Sequence, residues 1–154
     1  MTLNFGKILP KDSSTFNGHR SIRVVTAFFL LVALVRSCIH LFVSDGGANS
    51  IAGINISVEG GNNIIAIFHQ WGAIQLILAA LLSILFFRYP GLTPLIVLTL
   101  AIDPIMRAIS GQIAPLTAEG TPPGEALNRP VFVLLAALFA ASLVERKDSK
   151  AKTI

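Results

Sequence analysis

Apolar residues gather into four runs, and segments rich in polar residues, Gly and Pro separate them. The first run covers residues 22–43, with Arg36 and His40 interrupting its later part. The second covers 64–87 and ends at Arg88-Tyr89-Pro90-Gly91, an interfacial base, an aromatic anchor and two helix breakers. Thr93-Pro94 restarts the chain as N-cap and first helical residue. The second and third runs therefore read as a tight antiparallel hairpin. The third covers 94–110 and Gly111 closes it. The fourth is shorter: residues 130–144 alone would reach about 22 Å at 1.5 Å per residue, against a hydrocarbon core of about 30 Å. A start near Pro123 with a kink at Pro130 extends it to 123–144. Pro104 predicts a second kink, inside the third run. Runs of this length predict an all-α fold, an antiparallel bundle of four transmembrane helices.

The segments between the runs carry breakers rather than a second domain. Residues 1–21 hold Lys7, Lys11 and Arg20 with Pro10 and Gly18. They predict a loosely ordered arm whose bases lie on anionic headgroups. A basic start before an apolar run also describes a signal peptide, and Ala48-Asn49-Ser50 resembles a cleavage site. The run to Val43 exceeds the usual core of about 7–15 residues, which favours a retained span. Residues 44–63 lack Lys and Arg and contain Gly46, Gly47, Gly53, Gly60 and Gly61. Ile54, Ile56 and Val58 alternate with polar positions, predicting a short strand-like or surface-lying piece. Asn55-Ile56-Ser57 matches a glycosylation acceptor, a triplet that often arises by chance. Residues 112–128 carry Pro115, Pro122, Pro123 and Gly124 and read as a loop. Residues 145–154 form a basic tail.

Composition agrees with the pattern. The hydrophobic share is 53% and the charged share 13%, against about 25% charged in a soluble domain. A net charge of +4 does not point to nucleic acid, because most of the bases flank the apolar runs. Cys38 is the only cysteine, so no internal disulfide can form; it reads as a small buried residue. Four spans place both termini on one side. Lys7, Lys11, Arg20, Arg23, Arg88, Arg146, Lys147, Lys150 and Lys152 fall there, and only Arg129 falls opposite. The excess of bases makes both termini cytoplasmic, in a multi-pass protein of the plasma (inner) membrane.

Span topology converts sequence position into depth. Arg36 lies about 21 Å above the start of its span, and Arg107 about 20 Å above Pro94. His69 and Gln70 lie about 8–9 Å below the outer start of the second span. Asp103 and Gln75 fall near mid-plane, and Glu125, Asn128 and Arg129 stand at the outer mouth. Asp103 and Arg107 are four residues apart, so a helix puts them on one face. Charged groups at this depth are expensive and mark functional sites. These positions predict an outward-opening polar pocket lined by Arg36, His69, Gln70, Gln75, Asp103, Arg107 and Glu125. A purely structural alternative is that Asp103 and Arg107 neutralise each other and join helices. The surplus of cations and donors favours an anionic or carbonyl-bearing ligand.

Other features point less far. His40 reads as a solvated residue at the outer interface. Two histidines on different helices lack a clear third ligand, so neither a metal nor a cofactor is expected. Trp71 shares a helical stripe with Phe68 and Gln75 and reads as packing or an interfacial aromatic belt. Ala136, Ala137, Ala140 and Ala141 form small-xxx-small patterns that suit close helix approach, within the chain or against a partner subunit. No nucleotide loop, zinc-hydrolase helix or nucleophile elbow occurs.

Asn62-Asn63 before the second span, Trp71-Gly72-Ala73-Ile74-Gln75-Leu76 within it, Arg107-Ala108-Ile109-Ser110 near the end of the third, and Glu125 before the fourth form one set. On these residues the chain resembles, from about 22 to 144, a family of small bacterial four-helix membrane proteins of unknown function. The resemblance implies a four-helix membrane fold, adds weight to Arg107 and Glu125, and implies no activity. The leading expectation is binding of an amphiphile headgroup, a membrane lipid or a quinone, by the pocket. The alternatives are an accessory subunit of a larger membrane complex, or a lipid-modifying enzyme using His69 or Asp103 as acid or base.

Overall fold

Carbonyl groups at a helix end need partners, and Pro90 and Pro115 each follow a helix end here by two residues. A computed structural model describes residues 3–144; the basic tail 145–154 lies outside the described residues. Helix α1 spans Arg20–Phe42, α2 Gly61–Arg88 and α3 Thr93–Ile113. These three are long and apolar enough to cross a membrane. A single turn, α4, spans Pro123–Ala126, and a shorter apolar helix, α5, spans Asn128–Ser142. Among the described residues there is no strand, only an isolated bridge between Leu3 and Val144.

His19 caps α1 by accepting from the Ser21 amide at 3.2 Å. Gly60, at φ +81°, turns the chain into α2. A 3-10 turn at Pro90–Leu92 joins α2 to α3, and Thr93 Oγ1 donates to the Pro90 carbonyl at 2.7 Å. Helix α3 runs past Gly111 to Ile113, where the Ala114 amide donates to Ser110. A helical Gly costs only about 1 kcal/mol, so it need not end a helix. Pro104 sits inside α3, which continues through it. The expected fourth helix over 123–144 is instead split at Leu127. Pro130 then falls in the first turn of α5, where its missing amide has no intrahelical role. The interruption precedes the proline.

The helices pack in pairs. α1 lies along α2, and α3 along α5, while contact between the pairs is sparse. The expected α2–α3 hairpin is thus tight only at its turn. Near that turn the pairs share an apolar core of Leu30, Leu82, Phe86 and Ile96. Toward the other end, α1 and α2 cross at Gly72, where an added Cβ would lie 2.6 Å from the Leu41 amide nitrogen.

The N-terminal arm has defined partners, in contrast to the loose arm expected. Asn4 N donates to Leu143 O at 3.1 Å, and Lys7 Nζ to Val144 O at 2.7 Å. Gly91 N donates to Ser13 O at 2.9 Å, seating the arm on the α2–α3 turn. These bonds satisfy groups that the helix ends leave open.

The α1–α2 loop is built around Asp45 rather than a strand. Its carboxylate accepts from the amides of Gly47, Asn49 and Ser50 and from the Ser50 hydroxyl, at 2.7–3.0 Å. Those bonds, led by the Ser50 amide, pull its pKa down to about 2. Gly53, at φ +67°, accepts from Glu119 N at 2.8 Å and ties this loop to the α3–α4 loop.

Candidate polar cluster between the helix pairs

Spacing on each helix creates one polar face. Arg36 and His40 are four apart on α1, Trp71 and Gln75 on α2, and Asp103 and Arg107 on α3. The fold turns these faces toward one another. Arg36 Nη2 donates to Gln75 Oε1 at 3.1 Å and lies 3.6 Å from Asp103 Oδ2. Arg107 Nε lies 3.2 Å from the same Asp103 oxygen. One carboxylate therefore serves two guanidinium groups, one on each side of the boundary between helix pairs.

The rest of the setting is part aromatic and part backbone. The Arg36 guanidinium stands 5.7 Å from the Trp71 ring, within reach of a cation–π attraction. Trp71 in turn packs 4.5 Å from the His40 ring and 5.8 Å from Phe68. Arg107 Nη1 donates to the Gly124 carbonyl at 3.3 Å, and Asn128 Nδ2 to the Pro104 carbonyl at 2.8 Å. These two bonds hold α4 and the start of α5 against α3.

Donors exceed acceptors here. Arg36 Nε and Arg107 Nε are both buried and have no hydrogen-bond acceptor, and Asn128 Oδ1 has no donor. The Arg107 Nε contact with Asp103 is an ion pair without hydrogen-bond alignment. Side-chain exposures of 31% for Arg36, 40% for Asp103 and 27% for Arg107 leave the cluster partly accessible. An anion placed there would find two cations partly neutralised by one carboxylate.

Of the predicted pocket residues, the structure brings together Arg36, Gln75, Asp103 and Arg107. It separates the other three. His69 Nδ1 donates to the Leu41 carbonyl at 2.8 Å, capping the last turn of α1. Gln70 is exposed on α2. Glu125 is exposed on α4 and forms no ion pair with a described residue; the Gly124 carbonyl beside it takes the Arg107 bond instead. His40 is buried, not solvated, and donates from Nδ1 to the Gly46 carbonyl at 2.7 Å. Among the described residues no group of three ligating side chains could hold a metal ion.

Trp71 and Asn128 belong to the site although neither was among the predicted pocket residues. The signal for Trp71 was its position four residues before Gln75. Arg23 forms a separate station near the α2–α3 turn. It donates to Phe86 O at 3.2 Å and Thr93 Oγ1 at 3.1 Å, with its guanidinium 4.2 Å over the Phe86 ring. It caps α2.

Comparison with protein-family models, with characterised proteins and with solved structures finds no match to this chain.

Proposed function

We propose that this chain is a multi-pass protein of the plasma (inner) membrane whose polar cluster binds the headgroup of an amphiphile. The single observation that carries the reading is the shared carboxylate. Two guanidinium groups meet one Asp103 oxygen and leave Arg36 Nε and Arg107 Nε buried without acceptors. Unmade hydrogen bonds of buried charged groups are costly, so a ligand offering acceptors gains them. A lipid phosphate or a quinone carbonyl supplies such acceptors. The residues proposed to bind are Arg36, Gln75, Asp103 and Arg107, with Trp71 flanking Arg36.

The membrane arrangement belongs to the same proposal. Four spans, the last made of α4 and α5 together, put both termini in the cytoplasm. The distribution of bases supports this orientation. So do the bonds that tie Asn4 and Lys7 to Leu143 and Val144, which bring the two ends of the described chain to one side. On this topology the cluster stands about 9 Å, six residues, below the outer ends of α1 and α3. The proposed kinship with small bacterial four-helix membrane proteins fits the same arrangement.

Native mass spectrometry of gently extracted protein tests the reading. Wild type is expected to retain an amphiphile that Arg36→Gln/Arg107→Gln loses. Equal retention by both proteins would refute binding at the cluster.

A second reading, an accessory subunit of a larger complex, draws on α5. Ala137, Ala140 and Ala141 are exposed along it, a surface suited to close helix approach. A stoichiometric partner in the same mass spectra would favour it.

A further inference from the structure

The surface around the cluster is aliphatic. On α3, Ile102, Ile105 and Met106 are exposed beside Asp103; on α2, Ile74 and Leu78 are exposed beside Gln75. Helix α2 carries no ionisable side chain between His69 and Arg88, and α3 carries none besides Asp103 and Arg107. A water-facing surface of this length would be polar. The exposed surface around the cluster therefore suits hydrocarbon rather than water. Helices α2 and α3 share a turn yet touch only sparsely. Their apolar core lies near that turn, and the cluster lies beyond it. Arg36 reaches across from α1 to both Gln75 and Asp103.

We infer that the ligand is a phosphate-bearing membrane lipid that enters sideways from the bilayer, between α2 and α3, with its phosphate between Arg36 and Arg107. This inference rests on the headgroup reading above and names its substrate class and route. Charge selects phosphate within that reading. The cluster holds two guanidinium groups against one carboxylate, a net positive charge that a neutral carbonyl leaves uncompensated. A phosphate offers several acceptor oxygens and matches the planar guanidinium fork, so it can serve both guanidinium groups at once. The aliphatic rim selects the source. A dissolved phosphate would have to shed its water and cross that rim, whereas a lipid already lies against it.

Trp71, the only tryptophan of the chain, stands beside Arg36 and reports on the site. The full-length protein is placed in phosphatidylcholine vesicles with a minor fraction of phosphatidic acid, brominated on the acyl carbons nearest the glycerol. Brominated phosphatidic acid is expected to quench Trp71 at a mole fraction about tenfold below that of equally brominated phosphatidylcholine. Arg36→Gln/Arg107→Gln is expected to erase that preference. Inorganic phosphate and glycerol phosphate are expected not to relieve the quenching. The competition arm uses wild type alone and stands even if the variant fails to fold. Relief by either soluble phosphate overturns entry from the bilayer and leaves the headgroup reading intact. Equal quenching by both lipids in wild type, with no response to soluble phosphate, overturns the lipid-phosphate assignment. If native mass spectrometry then still shows a neutral amphiphile lost with the arginines, the headgroup reading survives; if it shows none, both fall. A bound membrane polypeptide lost on Arg107→Gln makes the occupant a partner helix and overturns the lipid assignment.

Discussion

Arg36 and Asp103 meet across the boundary between the two helix pairs, Nη2 to Oδ2 at 3.6 Å. Because Arg107 reaches the same oxygen, the three charges form one unit. Pairing of Asp103 with Arg107 alone would make loss of Arg107 the costliest change, leaving a part-buried carboxylate unpaired. Sharing reverses that order. Arg107→Gln leaves Asp103 with Arg36, whereas Asp103→Asn leaves two cations facing each other. Asp103→Asn is expected to cost about 1–3 kcal/mol, discounted from a fully buried pair because these side chains are part-exposed. Arg107→Gln is expected to cost less, and the double variant less than Asp103→Asn alone. Thermal unfolding in one detergent ranks the three; an Arg107→Gln defect larger than that of Asp103→Asn would sink the shared-carboxylate account.

Much of this was legible in the sequence, for a physical reason in each case. Charges are so few inside the apolar runs that the helices announce themselves, and the spacing of Asp103 and Arg107 needs only the helical repeat. Counting rises along α1 and α3 put Arg36 level with Arg107, and the structure joins both to Asp103. The same counting misled for His69. Rise fixes depth but not which way a side chain faces, and the Leu41 carbonyl at the end of α1 claimed its ring. Glu125 failed similarly, because a backbone carbonyl one residue away satisfied Arg107 first. The ordered arm was hidden because its partners lie at the far end of the described chain, at Leu143 and Val144. Composition cannot show so distant a pairing.

Gly72 fixes how closely α1 and α2 cross. A Cβ there would meet Leu41 N at 2.6 Å and the His40 carbonyl carbon at 2.7 Å, both backbone atoms that cannot rotate away. Gly72→Ala is expected to force the helices apart at a cost of about 1–3 kcal/mol. The damage should be local: faster amide exchange in the last turn of α1, where His69 caps Leu41, with the core at Leu30 and Phe86 unaffected. Unchanged exchange at the end of α1 would contradict the crossing.

Asp45 makes the α1–α2 loop sensitive to acid. Its folded pKa, about 2, lies below the ordinary carboxylate value of 3.8. A depressed carboxylate contributes stability that is present above the ordinary value and lost as pH falls through the folded one. The amides of Gly47, Asn49 and Ser50 should therefore stay protected at neutral pH and lose protection between about pH 4 and 2. Because the carboxylate is close to solvent, the effect should stay within the loop. Asp45→Asn is expected to lower protection at neutral pH and flatten the acid response; an unchanged acid response in that variant would assign it elsewhere.

Lys7 and Asn4 hold the end of α5 from the opposite end of the described chain. The last carbonyls of a helix have no intrahelical partner, and here Lys7 Nζ takes the Val144 carbonyl while the Asn4 amide takes Leu143. Lys7→Met keeps most of the side-chain length and removes the donor. It is expected to cost about 1.5–3 kcal/mol, the range of a single bond with a charged partner. Protease cutting near Val144 should quicken, while the polar cluster, toward the far end of α3, should be unaffected. The same contact fixes sidedness. If arm and α5 end meet on the cytoplasmic face, a cysteine at exposed Ser14 should react only from inside and one at exposed Asn49 only from outside. The native Cys38, also exposed on α1, is first changed to Ser so that it does not label. Labelling of both positions from one side would require an even number of spans between them in place of the single α1, and would overturn the placement of Arg36 and Arg107 near the outer face.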